Sequence, residues 1–194
     1  MTARVMVVAG LLGLSVLLAG CSSDDLANDF GAGAGDYSAT GGATVLAEKD
    51  RGESLDFEEK TIDGTTLALS DLRGQVVVVN FWYAGCAPCR AEAPILEGLY
   101  QDYANKGVSF VGVNTVDQAA TALSFEKKYG ISYPSVLDVE SGAARIAFAG
   151  EVSPSAVPTT FVLDREGRIA ARVVGQLESK SILNTLISET LAER

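Results

Sequence analysis

Apolar positions change their spacing along the chain, and each change marks an element. Residues 57–61 and 66–69 alternate on either side of Asp63-Gly64, two residues that tolerate positive φ, which predicts a β-hairpin. A short turn at 70–74 leads into residues 75–81, where four consecutive valines are apolar toward both faces, as in a strand at the middle of a sheet. Residues 86–106 then carry a helical stripe of Ala91, Ile95, Leu96, Leu99 and Tyr103, with Pro94 inside it and Gly107 as the stop. A second buried strand is predicted at 108–114, a helix at 119–129 and a short strand at 135–137 entered through Pro134. Residues 160–163 and 169–174 flank Asp164-Arg165-Glu166-Gly167 as a second hairpin, and 177–191 close the chain as an amphipathic helix. This order predicts an α/β fold, a mixed sheet with helices on both faces.

The two ends of the pattern differ from its middle. Arg4 precedes an apolar run over 5–19 that is shorter than the roughly 18 apolar residues of a spanning helix, so residues 1–20 read as a cleaved export signal. Leu18-Ala19-Gly20-Cys21 resembles a bacterial lipobox, which implies cleavage before Cys21 and a diacylglycerol thioether on its sulfur. Residues 21–50 are rich in Gly, Ala, Ser, Thr and Asp without hydrophobic period and read as a flexible tether. About 30 such residues reach on the order of 30 Å, enough to lift a domain clear of a bilayer surface. The folded domain is expected over 51–194, lipid-anchored outside the cytoplasm.

Composition narrows the chemistry. The 194 residues include 25 Asp and Glu against 15 Lys and Arg, a formal charge of −10, so no cationic field exists for nucleic acid. There is no histidine, which removes the usual general base, the Ser-His and Cys-His pairs and most zinc sites. Three cysteines, Cys21, Cys86 and Cys89, exclude a multi-disulfide scaffold. No cofactor or metal is expected.

Cys86-Ala87-Pro88-Cys89 follows a buried strand and opens a helix. Unpaired N–H groups and the dipole at a helix N-terminus stabilise a thiolate, and two intervening residues bring the second sulfur within bonding distance of the first. Cys86 is therefore read as the nucleophile and Cys89 as the resolving thiol. Pro88 lacks an N–H, which costs little in a first turn. A zinc site lacks further ligands, and a structural bridge closing so small a ring gains little chain entropy. A peroxidatic cysteine ordinarily stands alone in an activating pocket. From spacing alone Glu92, three residues after Cys89, reads equally as a solvated helix charge or a site residue. Trp82 and Tyr83 are candidate core or rim aromatics, and Trp82 is assigned to the rim around Cys86.

The stretch Phe81-Trp82-Tyr83-Ala84-Gly85-Cys86-Ala87-Pro88-Cys89-Arg90, with Pro94, resembles the active-site strand and helix of the thioredoxin superfamily. Arg90-Ala91-Glu92-Ala93-Pro94, Asn80 where thioredoxin has a buried aspartate, the lipobox and an inserted helix and strand between Val113 and Gly150 are similar to the extracytoplasmic ResA/TlpA family. The resemblance implies a thioredoxin-like domain with an N-terminal β-hairpin extension, and a monomeric, membrane-tethered thiol-disulfide oxidoreductase. It would reduce disulfides in exported proteins, apocytochrome c among them, and draw electrons from a membrane donor protein. A disulfide-forming oxidase of the same fold and a non-catalytic binding lipoprotein are the alternatives. The resemblance also implies a cis peptide at Val157-Pro158 facing the cysteines, with Val157 pairing its backbone to the substrate beside Ala87 and Pro88, and an active-site role for Glu92. Ala87 departs from the family pattern, which has an acidic residue there.

Overall fold

The computed structural model describes residues 36–39, 42–151 and 156–193. Among the described residues nine strands and four α-helices follow in the order β1 (Asp36–Ala39), β2 (Ala43–Leu46), β3 (Glu58–Lys60), β4 (Thr66–Ala68), β5 (Val76–Trp82), α1 (Ala87–Tyr103), β6 (Val108–Asn114), α2 (Ala119–Tyr129), β7 (Ser135–Leu137), α3 (Ala143–Ala147), β8 (Thr159–Leu163), β9 (Ile169–Val174) and α4 (Lys180–Ala192). A seven-stranded sheet runs β1-β2-β9-β8-β5-β6-β7, and β3-β4 form the expected hairpin as a separate two-stranded sheet. Among the described strands only β5-β6 and β6-β7 are parallel. The mixed sheet with helices on both faces is the predicted fold.

Strand β5 holds the centre because its side chains can be buried both ways. Val76 and Val78 face a core shared with Leu96 and Leu99 of α1 and Leu183 and Ile187 of α4. Val77, Val79 and Phe81 face Val111, Phe148 and Phe161 on the other side, under α3 and the β3-β4 hairpin. The stripe of α1 is turned from the predicted one. Cys89, Glu92, Ala93, Leu96, Leu99 and Tyr103 are buried, whereas Ala91 is exposed. A carboxylate therefore lies on the helix's inner face, where a polar residue is not expected from hydrophobic spacing.

The tether expected over 21–50 is corrected at its end. Strands β1 and β2 pair antiparallel, and β2 continues the main sheet by pairing Ala43 with Val173 and Val45 with Ala171 of β9. Ala43 is fully buried. Without β2 the outer edge of β9 would present unpaired backbone groups, and even a four-residue strand covers them. Arg51 then fixes the segment. Its buried guanidinium donates to Asp164 at 3.0 Å and to Glu193 at 2.6 and 2.7 Å, and its Nε donates to the Leu46 carbonyl. The signal segment, Cys21 and the earlier part of the tether lie outside the described residues.

Candidate active site

The β5-α1 junction is built by backbone geometry before any side chain acts. Strand β5 ends at Trp82, and Cys86 N–H donates to the Tyr83 carbonyl at 3.2 Å to close a turn over Ala84 and Gly85. Both sides of this turn are clamped. Ala84 N–H donates to Asp117 Oδ2 at 2.6 Å, and Arg90 Nη1 donates to the Ala84 carbonyl at 3.0 Å. Asp117 is itself set by Asn114, whose Nδ2 donates to its carboxylate while its Oδ1 accepts the Asp117 and Val116 N–H groups. Neither Asn114 nor Asp117 stood out in the sequence. The available signal was an Asn-x-x-Asp sequence directly after a buried strand, a pattern that forms an Asx turn.

Cys86 is the N-cap of α1, and a disulfide of 2.02 Å joins it to Cys89. Cys89 N–H donates to Cys86 Sγ at 3.1 Å, so one of the helix's unpaired donors is aimed at that sulfur. Pro88 lies in the first turn, half-buried, and Ala87 is exposed beside it. Both cysteines are otherwise enclosed, in a cluster with Trp82, Ala93, Ala122 and Phe125. The Val157-Pro158 peptide is cis, and Val157, half-buried, packs against this same cluster. The loop that the resemblance placed opposite the cysteines is thus brought to them.

Trp82 is not on the rim. It is 4% exposed, with its indole 4.4 Å from the Phe125 ring between centroids, so it forms the wall behind the disulfide. The reason lies one strand away. Gly112 has no side chain, and a Cβ there would fall 2.8 Å from Trp82 Nε1 and against Ser135 Oγ, so the indole occupies the space this glycine leaves. Tyr83 takes the rim position instead, half-buried and packed on the cysteine cluster from outside.

Glu92 is buried on the inner face of α1, three residues beyond Cys89. Oε1 accepts from Asn80 Nδ2 at 2.9 Å and Oε2 accepts from Leu177 N–H at 2.9 Å. Asn80 is held in turn by a second bond, 3.0 Å to Thr160 Oγ1. Burial pushes the Glu92 carboxyl up to about 7, with the Leu177 and Asn80 donors opposing the rise. A group titrating there exchanges a proton readily near neutral pH. Of the three carboxyls on α1, Glu92, Glu97 and Asp102, it is the buried one, and a solvated surface charge is not what the structure contains at this position.

This arrangement can pass two electrons through one sulfur pair: an accessible turn, a donor aimed at the first sulfur, an apolar wall and an internal carboxyl. Comparison with known proteins agrees. The Redoxin family model matches residues 48–187. The chain is 34% identical over 130 residues to the thiol-disulfide oxidoreductase ResA of Bacillus subtilis (strain 168), covering 67% of this chain and 70% of that protein. With the same-named protein of Geobacillus thermodenitrificans (strain NG80-2) identity is 31% over 133 residues, 69% of this chain and 74% of that one. Among solved structures, a secreted thiol-disulfide isomerase from Corynebacterium glutamicum superposes with TM-score 0.71 at 32% identity, over 81% of this chain and 96% of its own. A DsbF homologue from Corynebacterium diphtheriae gives 0.68 at 28% identity, over 81% and 99%. The chain belongs to the Redoxin family and is a thiol-disulfide oxidoreductase of thioredoxin fold.

Proposed function

We propose that the protein is a lipid-anchored, extracytoplasmic reductant of disulfides in exported proteins, apocytochrome c among its candidate substrates. The observation that carries the assignment is the Cys89 N–H donated to Cys86 Sγ at the start of α1. In the reduced enzyme this donor and the helix dipole favour charge on Cys86, which makes it the attacking thiolate. Cys86 Sγ bonds to one sulfur of the substrate disulfide as the other leaves as thiolate and takes up a proton. Cys89, giving its proton to Glu92, then attacks Cys86 Sγ, re-forms the internal disulfide and releases the second substrate thiol. Two electrons pass to the substrate, its second sulfur leaves as a thiolate and takes up a proton from solvent as the first did, and Glu92 gives its proton back to solvent. A membrane donor protein returns the electrons by the reverse exchange.

The buried carboxyl supports the reducing direction. A negative charge close to Cys89 disfavours a thiolate there, so the dithiol is less stabilised and the potential lower. Val157 would pair its backbone with the substrate segment while Ala87 and Pro88 flank the entering sulfur. Cys21, as the lipidated residue, would hold the domain at the membrane. The test is exchange with a disulfide-bonded protein substrate. Cys89→Ser should trap a mixed disulfide through Cys86, and Cys86→Ser should abolish exchange. Faster alkylation of Cys89 than of Cys86 in the reduced protein near neutral pH would reverse the assignment.

A further inference from the structure

We propose that the ring of Tyr83 is a specificity determinant, selecting substrate segments that carry an apolar side chain beside the reacting cysteine. The inference rests on Cys86 being the sulfur that meets substrate and adds what surrounds that sulfur. Tyr83 and Gly85 act together. An ideal Cβ on Gly85 would stand 3.2 Å from Tyr83 Cε2 and 3.4 Å from Cδ2, so the ring lies across the backbone of the residue preceding Cys86 and uses the space a side chain would fill. The ring is half-buried and touches the cluster that contains both sulfurs.

The neighbouring aromatics are already engaged. Trp82 stacks on Phe125, and Phe125 stacks on Tyr129 at 4.6 Å between centroids. Among the described residues Tyr83 has no aromatic partner and its hydroxyl makes no hydrogen bond, and the residue keeps part of its surface exposed. The turn beneath is rigid, because the Ala84 N–H is held by Asp117 and the Ala84 carbonyl by Arg90. A ring on a fixed support binds with little ordering cost. The side chains that flank Cys86 are otherwise small or apolar: Ala84, Ala87 and Pro88 on its own turn and Val157 across from it, with Val116 exposed on the loop that Asp117 fixes. Arg90 and Asp117, the charges nearest in sequence or contact, each bond to the Ala84 backbone, and Asp117 also accepts from Asn114 Nδ2. A disulfide within an extended segment whose cysteine is followed or preceded by Leu or Phe therefore buries that side chain against Tyr83, whereas Ser or Asp at the same place gains nothing.

The experiment uses the full chain and two peptide disulfides of equal charge, with Leu or Ser next to the cysteine, each rate divided by the rate with 2-hydroxyethyl disulfide. The wild type should favour the Leu peptide by about tenfold in kcat/KM, the scale of one apolar side chain in a shallow site. Tyr83→Ala should bring the preference below about threefold, carried mainly by KM. Tyr83→Phe keeps the ring and should keep the preference. A Leu preference that survives Tyr83→Ala overturns the proposal alone, as does its loss in Tyr83→Phe. Absence of exchange with 2-hydroxyethyl disulfide in the wild type overturns the Cys86 assignment and this inference with it.

Discussion

Replacing Glu92 by Gln removes a charge from the core and leaves most of its packing. The Gln carbonyl can still accept from Leu177 N–H, while its amide meets Asn80, which satisfies it by turning its own carbonyl inward. The effect on stability follows from the carboxyl's titration. In the oxidised protein Glu92 protonates at about 7, above the ordinary glutamate value of 4.5, because burial disfavours the charged form. Between these values the folded state binds more protons than the unfolded one, so stability is greatest below about 4.5 and falls as pH rises through about 7. Integrated from pH 5 to pH 8 the loss is about 2 to 3 kcal/mol. Urea denaturation of the oxidised wild type and Glu92→Gln at both pH values reads it directly. The wild-type midpoint should drop by roughly 1 M more than that of the variant, given a slope of about 2 kcal/mol/M. The comparison cancels other carboxyls, such as Glu126, raised by burial, and Asp164, lowered by its Arg168 and Arg51 partners against the effect of burial. Equal pH dependence in the two proteins would refute the reasoning, since it would mean that Glu92 is ionised and hydrated across the range.

Gly112→Ala should destabilise the protein by about 1 to 3 kcal/mol, because its Cβ meets Trp82 Nε1 at 2.8 Å and Ser135. Trp82 is the sole tryptophan, so its emission spectrum should shift in the folded state along with the urea midpoint. Ala43→Asp places a carboxylate in the fully buried end of β2 and should cost at least about 2 kcal/mol, measured by thermal unfolding at fixed pH; an unchanged midpoint would detach β2 from the sheet. Cys21→Ala should abolish incorporation of a labelled fatty acid, and a wild-type protein that takes up no label would refute the anchor.

What could be read from the chain depended on how local the cause was. The four valines of β5 announce a two-sided burial by themselves, and Cys86-Ala87-Pro88-Cys89 after such a strand carries its own helix start. Strand β2 is different. Thr44-Val45-Leu46 is too short to register as a strand, and its partner Ala171–Val173 lies near the other end of the chain. Glu92 was legible as a neighbour of Cys89 but not as a buried group, because a stripe counted from apolar residues alone includes Ala91 and rotates the helix away from its true inner face. The exchange of places between Trp82 and Tyr83 was decided by two glycines. Gly112 opens room for the indole, and Gly85 opens room for the phenol ring. The first effect depends on Asn80, Gly112 and Ser135 being neighbours across three strands, a register no single segment discloses.

The closing of β2 onto β9, with Arg51 bonded to Glu193 across 142 residues, has a bearing on how the molecule is made. Strand β2 leaves the ribosome before β9, its hydrogen-bonding partner, and the two carboxylates that neutralise Arg51, Asp164 and Glu193, follow the arginine by 113 and 142 residues. Contacts of such long separation form late, since the loop between them must be ordered first. A chain that stops short of Asp164 leaves one edge of β2 unpaired and the Arg51 guanidinium without either carboxylate. The β2–β9 edge and the Arg51 ion pairs thus form only once the segments carrying Asp164, Ala171–Val173 and Glu193 have all been made.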